Sequence, residues 1–122
     1  MKKDILLVED NLLNQKLVIT ILKKAEYSFD IAQNGLEAVK KASQKRYRMI
    51  LMDIQMPHMD GLQATRHIRK YECINGINPT PIYAVTAYTE DYDVERFFEA
   101  GINDFIRKPF TFRQLIDFIK KD

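Results

Sequence analysis

Tryptophan is missing from the 122 residues, cysteine occurs once, and glycine and proline occur four times each. The lone Cys73 excludes an internal disulfide, and its charged neighbours offer no metal-ligand spacing, so it reads as a spectator thiol. The few glycines form no phosphate-cradling loop, which speaks against a nucleotide or flavin site built on one. No run approaches the roughly 18 consecutive apolar residues of a membrane helix. The Lys2-Lys3 start also lacks the apolar stretch of a signal peptide, so a soluble, cytoplasmic chain with no membrane partner is expected. Nor does one sign of charge dominate. Nineteen Lys and Arg face seventeen Asp and Glu, a formal net charge of +2. The basic residues are scattered in pairs such as Lys23-Lys24 and Lys40-Lys41 rather than gathered in a stripe, which speaks against direct nucleic-acid binding.

What the chain does have is core material. A hydrophobic fraction of 46% in a chain of this length predicts one domain, residues 1–122. Ile5-Leu6-Leu7-Val8, Met49-Ile50-Leu51-Met52 and Pro81-Ile82-Tyr83-Ala84-Val85 are short apolar runs of the kind buried on both faces of a parallel sheet. Phe29-Asp30-Ile31-Ala32 and Asp104-Phe105-Ile106 read as outer strands. Helical stripes lie between them: Leu13, Leu17 and Ile21 with Val18, Leu22 and Ala25; Leu36, Val39 and Ala42; Val94, Phe97 and Phe98; Phe112, Leu115, Ile116 and Ile119. The segment from Leu62 to about Tyr71 has weaker periodicity and is assigned as helix partly from its neighbours. Asn34 with Glu37, Asp60 with Gln63 and Thr111 with Gln114 supply helix starts, Thr89 precedes an acidic first turn, and Gly101 supplies a stop. Five strands alternating with five helices imply an α/β three-layer sandwich around a five-stranded parallel sheet.

Ligands bind beyond the carboxyl ends of the strands in such sheets. Those ends carry Glu9-Asp10, Asp53, Thr86-Ala87 and Arg107-Lys108-Pro109. Carboxylates converging there repel by about 4 kcal/mol per pair at 4 Å and an effective dielectric near 20. Lys108 supplies one compensating charge. A hard, oxygen-seeking cation, Mg²⁺, supplies two more and keeps sites open for a phosphoryl oxygen. Asp53 is then a candidate nucleophile that forms an aspartyl phosphate, with Thr86 donating to the phosphoryl group and Lys108 neutralising it. Taken singly, each residue has a plainer reading: Asp53 as a turn cap, Glu9-Asp10 as acidic groups before a helix capped by Asn11, Thr86 as a strand residue, Lys108 as a solvated charge.

The segments "LLVEDN", "ILMDIQMPHMDG", "YAVTA" and "IRKPF" resemble, in order along the whole chain, the signatures of response-regulator receiver domains. The resemblance implies a flavodoxin-like sheet of order 2-1-3-4-5. It further implies that Asp53 accepts phosphate from a phosphohistidine on a histidine kinase or histidine phosphotransfer domain. Mg²⁺ would be held by Glu9, Asp10, Asp53 and the Gln55 main-chain carbonyl. Thr86 and Lys108 match the family's hydroxyl and lysine, the Lys108-Pro109 bond is expected cis, and Phe105 falls at the switch aromatic. Phosphorylation would then alter the face built from the fourth helix, fifth strand and fifth helix, where a downstream protein or a second copy docks.

"VEDNLLNQKL", "MDIQMP" and "PIYAVTA" are closest to receivers of hybrid sensor histidine kinases, so the chain is expected to be a stand-alone receiver or a piece of such a kinase. Glu9 replaces a more frequent aspartate and Phe105 an often-seen tyrosine. Gln55 and Tyr88 stand where access of water to the phosphorylated aspartate is governed, and Tyr88 is expected to shield it. Two other classes share these residues: a pseudo-receiver that only binds partners, and a Mg²⁺-dependent phosphohydrolase. The first would be expected to lack one of the site groups, and none is missing. The second needs a carboxylate two residues after Asp53, where Gln55 stands. The domain is therefore expected to catalyse only its own phosphorylation and slow dephosphorylation.

Overall fold

The computed structural model describes residues 3–55, 59–87 and 91–120. Strands and helices alternate along them: β1 (Lys3–Val8), α1 (Leu12–Lys24), β2 (Phe29–Ala32), α2 (Gly35–Gln44), β3 (Tyr47–Asp53), α3 (Gly61–Ile74), β4 (Ile82–Thr86), α4 (Asp91–Ala100), β5 (Asp104–Arg107) and α5 (Phe112–Lys120). The strands form one parallel sheet in the order β2-β1-β3-β4-β5. No helix among the described residues is long and apolar enough to cross a membrane.

Alternate side chains of the central strands feed two cores, as the two-residue period of a strand requires. Ile5, Leu7, Met49, Leu51, Tyr83 and Val85 pack with Val18, Ile21 and Leu22 of α1 and with Leu115, Ile116, Phe118 and Ile119 of α5. Leu6, Val8, Ile50, Met52, Ile82 and Ala84 pack on the other face with Ala38, Leu62, Ile68 and Phe97 from α2, α3 and α4. Covering helices on both sides explain why these strands read as continuous apolar runs.

Three leucines depart from the expected stripes. Leu13 is 77% exposed, Leu17 52% and Leu36 60%. The face of α1 turned to the sheet is Gln15, Val18, Ile21 and Leu22. A glutamine occupies a core-facing position there, so a stripe drawn through leucines alone is rotated away from the true one. Of the aromatics in the expected helical stripes, Phe97 is buried, whereas Phe98 and Phe112 are exposed on α4 and α5; Phe118, outside those stripes, is buried. Helix α3 is regular despite its weak pattern, because two of its buried residues are polar and satisfied. Thr65 Oγ1 donates to the Gly61 carbonyl at 2.7 Å, and Glu72 accepts from the Thr80 amide at 2.8 Å.

The helix starts follow local chemistry. The side chains of Asn11, Asn34 and Asp60 accept from the amides of Asn14, Glu37 and Gln63 at 3.0, 2.8 and 2.9 Å. Thr111 and Gln114 bond each other's amides reciprocally, at 3.0 and 2.8 Å. Glu37 turns back to the Gln33 amide at 3.3 Å rather than to Asn34. Thr89 lies outside the described residues. Gly101, at φ 109°, closes α4 as expected: the amides of Gly101 and Ile102 donate to the carbonyls of Phe98 and Phe97.

Far from the carboxyl ends of the strands, Arg69 of α3 makes five hydrogen bonds. Its guanidinium donates twice to the Gly101 carbonyl, and once each to Glu72, the Thr80 carbonyl and Asn103 Oδ1, at 2.8 to 3.0 Å. Asn103 Oδ1 also accepts from the Ile82 amide. One planar fork thereby joins α3, the end of α4 and the starts of β4 and β5.

Candidate functional site

The order β2-β1-β3-β4-β5 reverses direction between β1 and β3, and the residues that end these two strands open into the crevice where such sheets bind ligands. Glu9 and Asp10 follow β1 and Asp53 closes β3. Glu9 is 3% exposed and Asp53 5% exposed, whereas Asp10 faces solvent. Carboxylate oxygens of the three lie within 4.8 Å of one another. Lys108, just past β5, places Nζ 3.3 Å from Glu9 Oε1 and 3.7 Å from Asp53 Oδ2. Its amide donates to the Thr86 carbonyl at 2.8 Å, so β4 fixes the main chain that carries the lysine. The Lys108-Pro109 bond is cis.

Thr86 ends β4 one residue beyond Val85, the register partner of Asp53, and its side chain is buried. Phe105 lies within β5 and is half-buried against the α2, α3 and α4 core, its ring 6.1 Å from that of Phe97 and nearly perpendicular to it. The Gln55 amide donates to Asp53 Oδ1 at 3.1 Å, which bends the chain back over the end of β3. Tyr88 and Met56-Pro57-His58 lie outside the described residues.

Two contributors escape a reading of motifs. Gln15 donates Nε2 to the Glu9 carbonyl at 2.6 Å from a buried position; its signal in the sequence is a polar residue in phase with Val18 and Leu22. Gly61 is the other. A Cβ there would stand 2.3 Å from the Asp53 carbonyl oxygen, so only glycine lets the start of α3 rest on the end of β3. An apolar cavity of about 160 Å³, lined in part by Leu17, Val18, Val85 and Phe110, adjoins Glu9, Asp53 and Lys108.

This setting pushes the Asp53 carboxyl up to about 7. Burial is the largest cause, followed by the hydrogen bond and the repulsion from Glu9; Lys108 and the Gln55 amide act in the opposite direction. In the absence of metal, the folded protein keeps this proton to about pH 7, while the unfolded chain releases it near the ordinary aspartate value of 3.8. The folded state then binds more protons between those values, so its stability is expected to fall as pH rises from about 4 to about 7 and to level off above that. Urea unfolding across this interval checks it. Asp53→Asn should flatten the slope, and an unchanged slope in the variant would assign it to other groups.

Chemically, the rim is a compact, oxygen-only donor set of the kind that suits a hard divalent cation, with one fixed ammonium beside it. The geometry unites Glu9, Asp10, Asp53 and Lys108 directly, and sets Thr86 on the neighbouring strand end.

A family model for the response regulator receiver domain matches residues 5–120. Hybrid signal transduction histidine kinase B of Dictyostelium discoideum is 44% identical over 126 residues, covering 96% of this chain and 6% of the kinase. Response regulator mcs4 of Schizosaccharomyces pombe is 36% identical over 87% of this chain and 25% of its own length. The chain thus spans a small fraction of the curated relatives it matches. Among solved structures, the receiver domain of sensor histidine kinase PA1611 from Pseudomonas aeruginosa, with a magnesium ion in its active-site cleft, superposes with a TM-score of 0.87. It is 37% identical, with 99% of this chain and 97% of that one covered. The receiver domain of Ssk1 from Saccharomyces cerevisiae, crystallised with the histidine phosphotransfer protein Ypd1, gives 0.91 at 33% identity over 98% and 88% of the two chains. With its parallel 2-1-3-4-5 sheet, the acidic rim at its switch point and a family match over residues 5–120, the chain belongs to the response regulator receiver domain family.

Proposed function

We propose that residues 1–122 act as one receiver unit of a phosphorelay, in which Asp53 accepts a phosphoryl group from a phosphohistidine on a histidine kinase or histidine phosphotransfer domain. The observation that carries this reading is the meeting of three carboxylates within 4.8 Å with the Lys108 ammonium 3.7 Å from Asp53. The rim fits Mg²⁺, with Asp10, Asp53 and the Gln55 carbonyl as ligands and Glu9 completing the oxygen set. Bound there, the cation lowers the charge barrier between an anionic carboxylate and an anionic phosphoryl group. The magnesium ion reported in the PA1611 receiver supports this assignment.

The chain's own residues do the rest. A carboxylate oxygen of Asp53 forms the new bond to phosphorus as the phosphorus–nitrogen bond of the donor breaks, and the freed imidazole takes up a proton. Thr86 and Lys108 bind the phosphoryl oxygens. Gln55 offers no general base to the product, so loss of phosphate is slow. The charge added at Asp53 draws Thr86 inward, opens space for Phe105 and biases the α4-β5-α5 face, which binds a downstream protein or a second copy. Phe98 of α4 and Phe112 of α5 are exposed and are the candidate apolar anchors of that face. Leu12, Leu13 and Leu17 of α1 are exposed, and Leu17 lines the cavity beside the rim, so a donor docking over α1 would find apolar side chains to cover. The complex between the Ssk1 receiver and Ypd1 supports a histidine phosphotransfer partner. We also place the chain in the cytoplasm.

Intact mass after incubation with acetyl phosphate tests the reading. One phosphoryl adduct is expected with Mg²⁺, and none without the metal or in Asp53→Asn. An adduct that persists in Asp53→Asn would sink the assignment of the acceptor, and multiple-turnover release of phosphate would point to a hydrolase.

A further inference from the structure

The buried side chains of α1 are Gln15, Val18, Ile21 and Leu22, and only the first is polar. A buried amide is costly unless it is bonded. Gln15 Nε2 donates to the Glu9 main-chain carbonyl at 2.6 Å. Glu9 stands one residue past β1: its amide still bonds the Ala32 carbonyl at 3.0 Å, while its carbonyl is taken up by the helix side chain. Its carboxylate accepts from the Asn11 amide through Oε2 at 3.1 Å and meets Lys108 through Oε1 at 3.3 Å. Every polar atom of Glu9 therefore has a partner, and the Gln15 bond fixes where the chain leaves the sheet between Glu9 and Asp10.

We propose that Gln15 is a positioning residue for the acidic rim, holding the Glu9-Asp10 bend at the spacing from Asp53 that a divalent cation requires. The proposal rests on the reading of that rim as a Mg²⁺ site. Gln15 touches neither metal nor phosphoryl group; it acts through the main chain that carries two of the three carboxylates. Groups that orient metal ligands without binding the metal typically change affinity by about 10- to 100-fold when removed.

Gln15→Met keeps the length and burial of the side chain and deletes the donor. Titration of the full chain with Mg²⁺, followed by calorimetry or amide chemical shifts, should give a dissociation constant raised about 10-fold or more. Ile21→Val, a core change on the same helix away from the rim, should lower the melting temperature and leave the affinity unchanged. Hydrogen exchange on metal-free protein gives a second reading: the Asn11 amide should exchange faster in Gln15→Met, while amides inside β1 and β3 hold their wild-type rates. Weaker Mg²⁺ binding with that local loosening supports the proposal. An unaltered affinity, or a uniform acceleration of exchange as in Ile21→Val, overturns it and leaves Gln15 as ordinary packing. Wild-type protein that takes up no Mg²⁺ overturns the metal reading itself, and with it the purpose assigned to Gln15.

Discussion

Replacing Lys108 with methionine is expected to slow phosphoryl acceptance on Asp53 by about 10²- to 10³-fold, the usual cost of removing one preorganised electrostatic donor from a transition state. Two effects act in the same direction. The ammonium 3.7 Å from Asp53 Oδ2 and 3.3 Å from Glu9 Oε1 is the charge that meets the incoming phosphoryl oxygens in the proposed mechanism. In metal-free protein it also opposes the burial and the Glu9 repulsion that raise the Asp53 carboxyl to about 7, so its loss leaves more of Asp53 protonated before the cation is loaded. The main chain of residue 108 is held by the Thr86 carbonyl, so the side chain can be shortened of its charge without moving β5. The rate of adduct formation by intact mass, at saturating Mg²⁺, gives the measurement. Labelling at the wild-type rate would show that the charge of Lys108 is not used. Arginine should restore only part of the rate, because its broad fork does not deliver a compact point charge to the same place.

Gly61→Ala is the change expected to cost most in stability. Helix propensity alone favours alanine by about 1 kcal/mol. Sterics decide the other way, since the added Cβ would stand 2.3 Å from the Asp53 carbonyl oxygen and 2.9 Å from Ile54 Cα, and both are backbone atoms. Neither can rotate aside. The Gly61 amide also donates to the Ile54 carbonyl at 3.1 Å, so α3 must back away from β3 and lose that bond. A net loss of about 3 kcal/mol is expected, at the upper end of overpacking costs, read as a lower urea midpoint. Because the displaced atoms belong to Asp53 and its neighbour, Mg²⁺ binding should weaken in the fraction that stays folded. A variant as stable as the parent would mean that the loop between β3 and α3 yields more readily than its contacts imply.

The central strands were legible because burial on both faces leaves an unbroken apolar run, as in Met49 to Met52. The helix starts were legible because capping is a local bond between residues three apart, and Asn34, Asp60 and Thr111 all form theirs. Strand order came from the resemblance rather than from periodicity, since nothing in an apolar run states which neighbour it will pair with. What stayed hidden depends on tertiary partners. Gln15 looks like a break in an apolar stripe until the Glu9 carbonyl is placed against it, and counting leucines instead put Leu13 and Leu17 in the core. The weak pattern of α3 has the same origin. Thr65 and Glu72 are buried by virtue of hydrogen bonds to Gly61 and Thr80, which hydropathy cannot register. The acidic rim itself was legible as chemistry, because carboxylates ending apolar strands need an external reason to be there.

The five-bond fork of Arg69 bears on how such a domain transmits force. It rivets the end of α4 and the starts of β4 and β5 to α3 at one extremity of the sheet, whereas Thr86 and Lys108 stand at the other extremity of the same two strands. Both strands are thus pinned by side-chain bonds at one end and by neighbouring main chain at the other, where Val85 pairs with Asp53 and the Thr86 carbonyl accepts from Lys108. A shift of Thr86 on phosphorylation is therefore expected to fade along β4 before it reaches the Arg69 anchor.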